Sequence, residues 1–114
     1  MTKLRVGVIG AGAFAESCHV PGVQSHPEAE VVVLRGRDQA RTRAAAQRLG
    51  VPEVSLDYEE VCARTDIDAV TIATPNVVHA RQAQAAFAAG KHVFCEKPLG
   101  MNTEEAADML RAAE

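Results

Sequence analysis

Residues 4–15 read LRVGVIGAGAFA. The first half is dominated by β-branched and other apolar residues and runs straight into Gly10, the pattern of a strand buried on both faces. The second half, Gly10-Ala11-Gly12-Ala13-Phe14-Ala15, has the spacing G-x-G-x-x-A. Each small residue has a physical task. Gly10 permits a tight turn from strand to helix. Gly12 lets a pyrophosphate approach the backbone, and Ala15 lets the following helix pack close to the strand. The amide groups and dipole at the start of that helix then face the phosphates. A strand, this turn and a helix at the start of a βαβ unit together predict a dinucleotide-binding site, for which Gly10, Ala11, Gly12, Ala13 and Phe14 supply the cradle.

Outward from this stretch the chain alternates two kinds of segment. EVVVLR (30–35), EVSL (53–56), DAVTIAT (68–74) and KHVFCE (91–96) read as further strands. Between them lie helices: 13–25, interrupted near Pro21-Gly22; one capped by Asp38 and stopped at Gly50; a short one capped by Asp57; and one opened by Pro75-Asn76 and closed by Gly90. Asn102 and Glu105 have capping-box spacing for a last helix. Near-continuous apolar strands joined by helices predict an α/β fold, a doubly wound parallel sheet of the Rossmann type. Its five strands are expected in the order 3-2-1-4-5. Residues 1–114 form one domain, without internal repeats or linkers.

The second strand decides which dinucleotide is expected. Residues 31–43 read VVVLRGRDQARTR. A carboxylate at this strand tip would accept hydrogen bonds from the adenosine ribose and repel a 2′-phosphate. Gly36 stands in its place. Glycine removes the repulsion and clears space, and the adjacent Arg37 offers planar, charge-assisted hydrogen bonds to a phosphate. Arg41 and Arg35 extend the basic patch. The prediction is NADP rather than NAD. A plainer account makes Arg37, Arg41 and Arg43 a solvated helix face.

Strands four and five end at the same sheet edge as the glycine turn, where ligands of open parallel sheets bind. The fourth ends in Ala73-Thr74-Pro75-Asn76, with His79 beyond, and the fifth in Cys95-Glu96-Lys97-Pro98. Thr74 and Asn76 are suited to hydrogen-bonding a ribose or amide, Glu96 to a ribose, and Lys97 to a substrate hydroxyl or carbonyl oxygen. Taken alone, each tripeptide reads better as a mere helix start (Thr74-Pro75) or surface ion pair (Glu96-Lys97).

Other classes receive little support. A net charge of −3 across 114 residues gives no footprint for nucleic acid or for a membrane surface. No stretch is long enough to span a bilayer. Residues 1–17 have the outline of a secretory signal, but Gly7, Gly10 and Gly12 make a poor apolar core for one. Three cysteines without paired spacing suggest reduced thiols and a cytoplasmic protein. No metal is expected, since neither C-x-x-C nor H-x-H spacing occurs. A hydrolase is disfavoured by the absence of G-x-S-x-G.

Taken together, GAGAFAESCHVPG, DAVTIATPNVVHA and GKHVFCEKPLG resemble, in order and spacing, the amino-terminal domain of the glucose–fructose oxidoreductase, inositol dehydrogenase and rhizopine-catabolism (Gfo/Idh/MocA) family. The resemblance covers essentially the whole chain. It implies an oxidoreductase that transfers hydride between a nicotinamide and a sugar, polyol or related carbonyl compound. Lys97 then matches the lysine that places substrate near the nicotinamide, and is the catalytic candidate. Glu96 and Pro98 complete its motif, Thr74, Pro75, Asn76 and His79 match the nicotinamide side, and His19 matches a histidine to which no catalytic role is assigned. Gly36 departs from the aspartate of NAD-using members. The chain also stops before the family's second domain, so it is expected to be a fragment, with cofactor binding but little turnover. An exposed edge at strand five is expected to cause self-association into a homo-oligomer. The alternative is a non-catalytic module that binds or senses NADP(H), in which Lys97 would serve no purpose.

Overall fold

A computed structural model describes residues 2–114. Strands β1 (Leu4–Ile9), β2 (Ala29–Arg35), β3 (Glu53–Ser55), β4 (Ala69–Ile72) and β5 (His92–Cys95) form one sheet. All neighbours are parallel, in the order β3-β2-β1-β4-β5, as the alternating sequence predicts. Parallel neighbours need crossovers, and helices provide them. The crossovers are α1 (Val20–Gln24), α2 (Gln39–Leu49), α3 (Tyr58–Ala63) and α4 (His79–Ala88), with α5 (Thr103–Ala113) following β5.

Both faces of the sheet are packed, which is why the strands carry apolar residues in near-continuous runs. On one face Ile9, Val33, Val70 and Ile72 meet Val61 and Cys62 of α3, Ala80, Ala83 and Ala86 of α4, and Met109 of α5. The alanines let α4 lie close against the strands. On the other face Val8, Val31 and Leu34 meet Ala15, Val20, Ala45 and Ala46. Beyond them this second face is bare: Phe94 is 65 % exposed, and the buried Thr71 hydroxyl beside it has no hydrogen-bond partner.

Asp38 and Asp57 cap α2 and α3 as expected, accepting from the amides of Arg41 and Glu59 at 2.9 Å each. Gly50 ends α2 in the left-handed region at φ 75°. Two local expectations change. The expected 13–25 helix is a π-helical turn, Ala15–His19, leading into α1, with the Val20 amide bonded back to Ala15 O. Pro21 has no N–H to give to a normal α-helical bond, and the wider turn just before it accommodates that loss. At α5 Asn102 accepts from the Glu105 amide at 2.8 Å, but the Glu105 carboxylate takes the Met101 amide, one residue before the reciprocal partner of a capping box.

Gly7 leaves no room for growth, since a Cβ there would stand 2.9 Å from Val61 Cγ1 and 3.1 Å from Ile67 Cδ1. Gly7→Ala is predicted to cost about 1–3 kcal/mol by overpacking, as measured by urea unfolding. The thiols should also differ. Cys18 is exposed, burial raises the Cys62 thiol, and burial together with Glu96 pushes Cys95 up to about 11. Brief alkylation at neutral pH, followed by mass spectrometry, should therefore mark Cys18 first. Equal labelling of all three in the folded chain would contradict this packing.

Candidate functional site

The residues that leave the strands are stitched to one another across the carboxyl edge of the sheet. Gly36 N donates to Ser55 O at 3.1 Å, Gly10 N to Arg35 O at 2.7 Å, Ala73 N to Ile9 O at 2.9 Å, and Glu96 N to Ile72 O at 2.9 Å. Each donor is the first residue past its strand. This ladder brings the glycine turn, the basic stretch, the Thr74 segment and the Lys97 segment to one edge.

A cleft follows that edge. One part is lined by Gly10, Ala11, Gly12, Ala13 and Phe14 from the glycine turn, by Arg35, Gly36, Arg37, Asp38, Arg41 and Thr42 at the tip of β2, and by Ala73, Thr74 and Pro75. The adjoining part is lined by Phe14, Ala73, Thr74, Asn76, Glu96 and Lys97. Phe14, Ala73 and Thr74 are common to both, so the two parts meet beneath them. The cleft lies where the winding of the sheet reverses, between β1 and β4, the crevice in which doubly wound folds bind ligands.

The two outer glycines of the turn are small for different reasons. Gly10 has φ 125°, and a Cβ there would stand 2.3 Å from Ala73 O. Its reason is internal, because backbone meets backbone. Around Gly12 nothing lies within 4 Å of such a Cβ, and its φ is not positive. The fold itself makes no demand for glycine there. The open space fits the approach of a phosphate, and this is the test the cradle passes.

Gly36 needs a correction of its reason. The place of its missing side chain is not cleared space: a Cβ would stand 2.0 Å from Thr42 Oγ1 and 3.0 Å from the Ala11 Cβ. Thr42, buried on α2, puts its hydroxyl where the first side-chain atom at position 36 would go. Arg37 and Arg41 are exposed and join no ion pair among the described residues. Arg35 is more committed. Its Nε donates to Leu56 O at 3.3 Å, and its guanidinium lies 5.8 Å from the centre of the Tyr58 ring. Burial, and secondarily Arg37, lowers its pKa from the ordinary value.

At the other end three expectations change. His79 is fully buried, with Nδ1 2.8 Å from Pro98 O and Nε2 2.8 Å from Thr74 O. Both nitrogens face the protein's own carbonyls, so His79 does not reach a cofactor; it ties the Thr74 and Pro98 segments together. The Thr74 hydroxyl donates to Gln82 Oε1 at 2.6 Å, which commits its proton inward and leaves only its lone pairs toward the cleft. Glu96 is partly committed too, with Oε2 2.9 Å from His19 Nε2 and Oε1 accepting from the Lys97 amide at 3.3 Å. The His19 hydrogen bond is the main cause that lowers the Glu96 pKa. Asn76 and Lys97 are exposed, and no hydrogen bond engages either side chain among the described residues. The Lys97–Pro98 peptide is cis.

Thr42 and Gln82 are contributors that sequence reading leaves out, and His19 is one it names without a role. Their partners lie far along the chain or face inward, and no spacing rule marks them. No group of three or more His, Cys, Asp or Glu residues able to hold a metal occurs among the described residues, and no described helix is long and apolar enough to cross a membrane.

The fold, the glycine turn and the cleft define a nucleotide-binding Rossmann domain. A family model described as an oxidoreductase family with an NAD-binding Rossmann fold matches residues 4–114. The chain belongs to that family, Gfo/Idh/MocA. An uncharacterized oxidoreductase of Rhizobium meliloti is 41 % identical over 110 residues, which are 96 % of this chain and 33 % of that protein. An NADP(+) D-xylose 1-dehydrogenase of Haloferax volcanii is 39 % identical over 95 % of this chain and 33 % of its own length. Among solved structures, the 3-ketoreductase KijD10 of Actinomadura kijaniata, in complex with NADP and TDP-benzene, superposes with a TM-score of 0.91 at 34 % identity. That match covers 98 % of this chain and 34 % of KijD10. The chain thus spans about a third of the length of the relatives it matches.

The two glycines make opposite predictions. Gly12→Ala should leave stability within about 0.5 kcal/mol of the parent, since its methyl meets nothing, and should abolish dinucleotide binding. Gly10→Ala should destabilise the fold by about 1–3 kcal/mol, the scale of a strained backbone position. Urea unfolding and nicotinamide fluorescence, run on both variants, check the pair.

Proposed function

We propose that the chain binds NADP(H) and is the cofactor-binding part of an oxidoreductase acting on a sugar, polyol or related carbonyl compound. One observation carries the choice of cofactor: Arg37 and Arg41, exposed and in no ion pair among the described residues, stand at the mouth of the glycine-turn cleft, and Thr42 crowds the point from which a ribose-binding side chain at position 36 would start. Guanidinium forks suit a 2′-phosphate. The NADP named with the Haloferax dehydrogenase and bound in KijD10 supports the same choice.

In this reading Gly10–Phe14 hold the pyrophosphate and Arg37 and Arg41 the 2′-phosphate. Asn76, the free lone pairs of Thr74 and Glu96, and the wall made by Pro75 serve the nicotinamide half. The bound nicotinamide supplies or accepts hydride. Lys97 directs its ammonium, which has no partner among the described residues, toward the oxygen on the reacting carbon, where it donates a hydrogen bond. His79 acts only by holding the backbone. The remaining substrate contacts belong to the two-thirds of the relatives' length that lies outside this chain. Three unbridged cysteines favour the reducing cytoplasm as its place of work. The outer position of β5 and the exposed Phe94 favour association of chains along that edge.

The test is a parallel titration with NADPH and NADH. NADPH should bind more tightly, and Arg37→Ala should weaken it about ten- to a hundredfold, the worth of one or two charge-assisted hydrogen bonds. NADH binding should not change. Equal affinity for the two cofactors in the parent chain would overturn the assignment.

A further inference from the structure

Glu96, Lys97 and Pro98 leave β5 without regular structure of their own, so contacts from elsewhere must fix them. Two histidines supply those contacts. On one side His19, 6 % exposed, places Nε2 2.9 Å from Glu96 Oε2, and the other oxygen of that carboxylate accepts the Lys97 amide. On the other side the fully buried His79 stands between two carbonyls, with Nδ1 2.8 Å from Pro98 O and Nε2 2.8 Å from Thr74 O. Neither ring lines the cleft.

We propose that His19 and His79 are positioning residues for Lys97, His19 acting through the Glu96 carboxylate and His79 through the Pro98 carbonyl. The proposal rests on the reading of Lys97 as the nicotinamide-side lysine. A lysine side chain is long and flexible, and no other protein group holds this one, so the placement of its ammonium depends on how firmly its backbone is anchored. The anchor on the His19 side is stiff. Its ring lies edge-to-face between Phe14 and Phe94, with centroids 5.5 and 5.8 Å away. Phe14 belongs to the glycine turn. A continuous set of contacts therefore joins the phosphate end of the cleft to its lysine end: Phe14 against His19, His19 to Glu96, Glu96 to the Lys97 amide. Phosphates seated on the glycine turn and a lysine at the reacting end are thereby held in one frame, although 77 residues separate His19 from Glu96.

The test uses the 114-residue chain and two probes. NADPH reports on the whole cleft, and 2′,5′-ADP carries the adenosine and 2′-phosphate without a nicotinamide. His19→Ala should weaken NADPH about tenfold, the worth of the one charge-assisted hydrogen bond that a Glu96 no longer held by His19 would fail to give the nicotinamide half. It should leave 2′,5′-ADP at parent affinity. His19→Gln, which keeps a donor at similar reach, should recover most of the loss. An equal loss for both probes would reduce His19 to general support and overturn the proposal, as would undiminished NADPH binding. A parent chain that binds neither probe overturns the cofactor reading instead. The anchor is then read without ligand, from the Lys97 amide signal in a proton–nitrogen correlation spectrum. It should move in His19→Ala and in His79→Gln and return in His19→Gln; an unmoved signal overturns the proposal.

Discussion

The close approach of the ends of β1 and β4 is the constraint on which the site depends. A methyl at position 10 would lie 2.3 Å from the carbonyl oxygen of Ala73, inside any tolerable contact. Backbone hydrogen bonds from Gly10 to Arg35 O and from Ala73 to Ile9 O hold the turn on both sides. These are the strands between which the chain reverses its direction of winding, so this close approach is also the floor of the crevice. A wider gap would separate the phosphate cradle from the Thr74 and Lys97 segments and leave two unrelated surfaces.

The charge at the β2 tip is arranged as economically as its backbone. Asp38 follows Arg37 directly but makes no ion pair with it. Its Oδ1 instead accepts the Arg41 amide and caps α2. Arg35 is occupied with Leu56 O and the Tyr58 ring. What stands uncommitted at the cleft is thus Arg37 and Arg41, which no carboxylate claims among the described residues. At the opposite end the polar groups are mostly turned inward, and the Lys97 ammonium is left to whatever binds there.

Local chemistry made much of this legible in the sequence. The strand–glycine–helix stretch, the Asp38 and Asp57 caps and the strand order follow from patterns within a few residues of one another or from general rules of winding. The strand tips could be assigned to one edge because every strand of a parallel sheet ends on the same side. What could not be read depends on tertiary neighbours. His79 looks like a ligand-facing histidine beside Thr74-Pro75-Asn76, and only the arrival of Pro98 O and Thr74 O on its two nitrogens shows it to be buried. The inward bond of Thr74 needs Gln82 one helical stretch later. The reading of Gly36 assumed cleared space, and nothing in the sequence announces that Thr42 folds back onto it. Pro21 does announce a disturbance, but whether it becomes a break or a widened turn is settled by packing against the sheet.

The contact between Gly36 and Thr42 also restricts how this site can change over generations. Acquiring an acidic residue at position 36 is the simple route toward a ribose-binding tip. Here that step alone drives a side chain into the Thr42 hydroxyl and against the methyl of Ala11. Position 42 must then turn its hydroxyl away or become smaller, and either change disturbs a packed group of α2. An acidic residue at this tip is thus opposed by the packing of the helix behind it as well as by the charge in front of it.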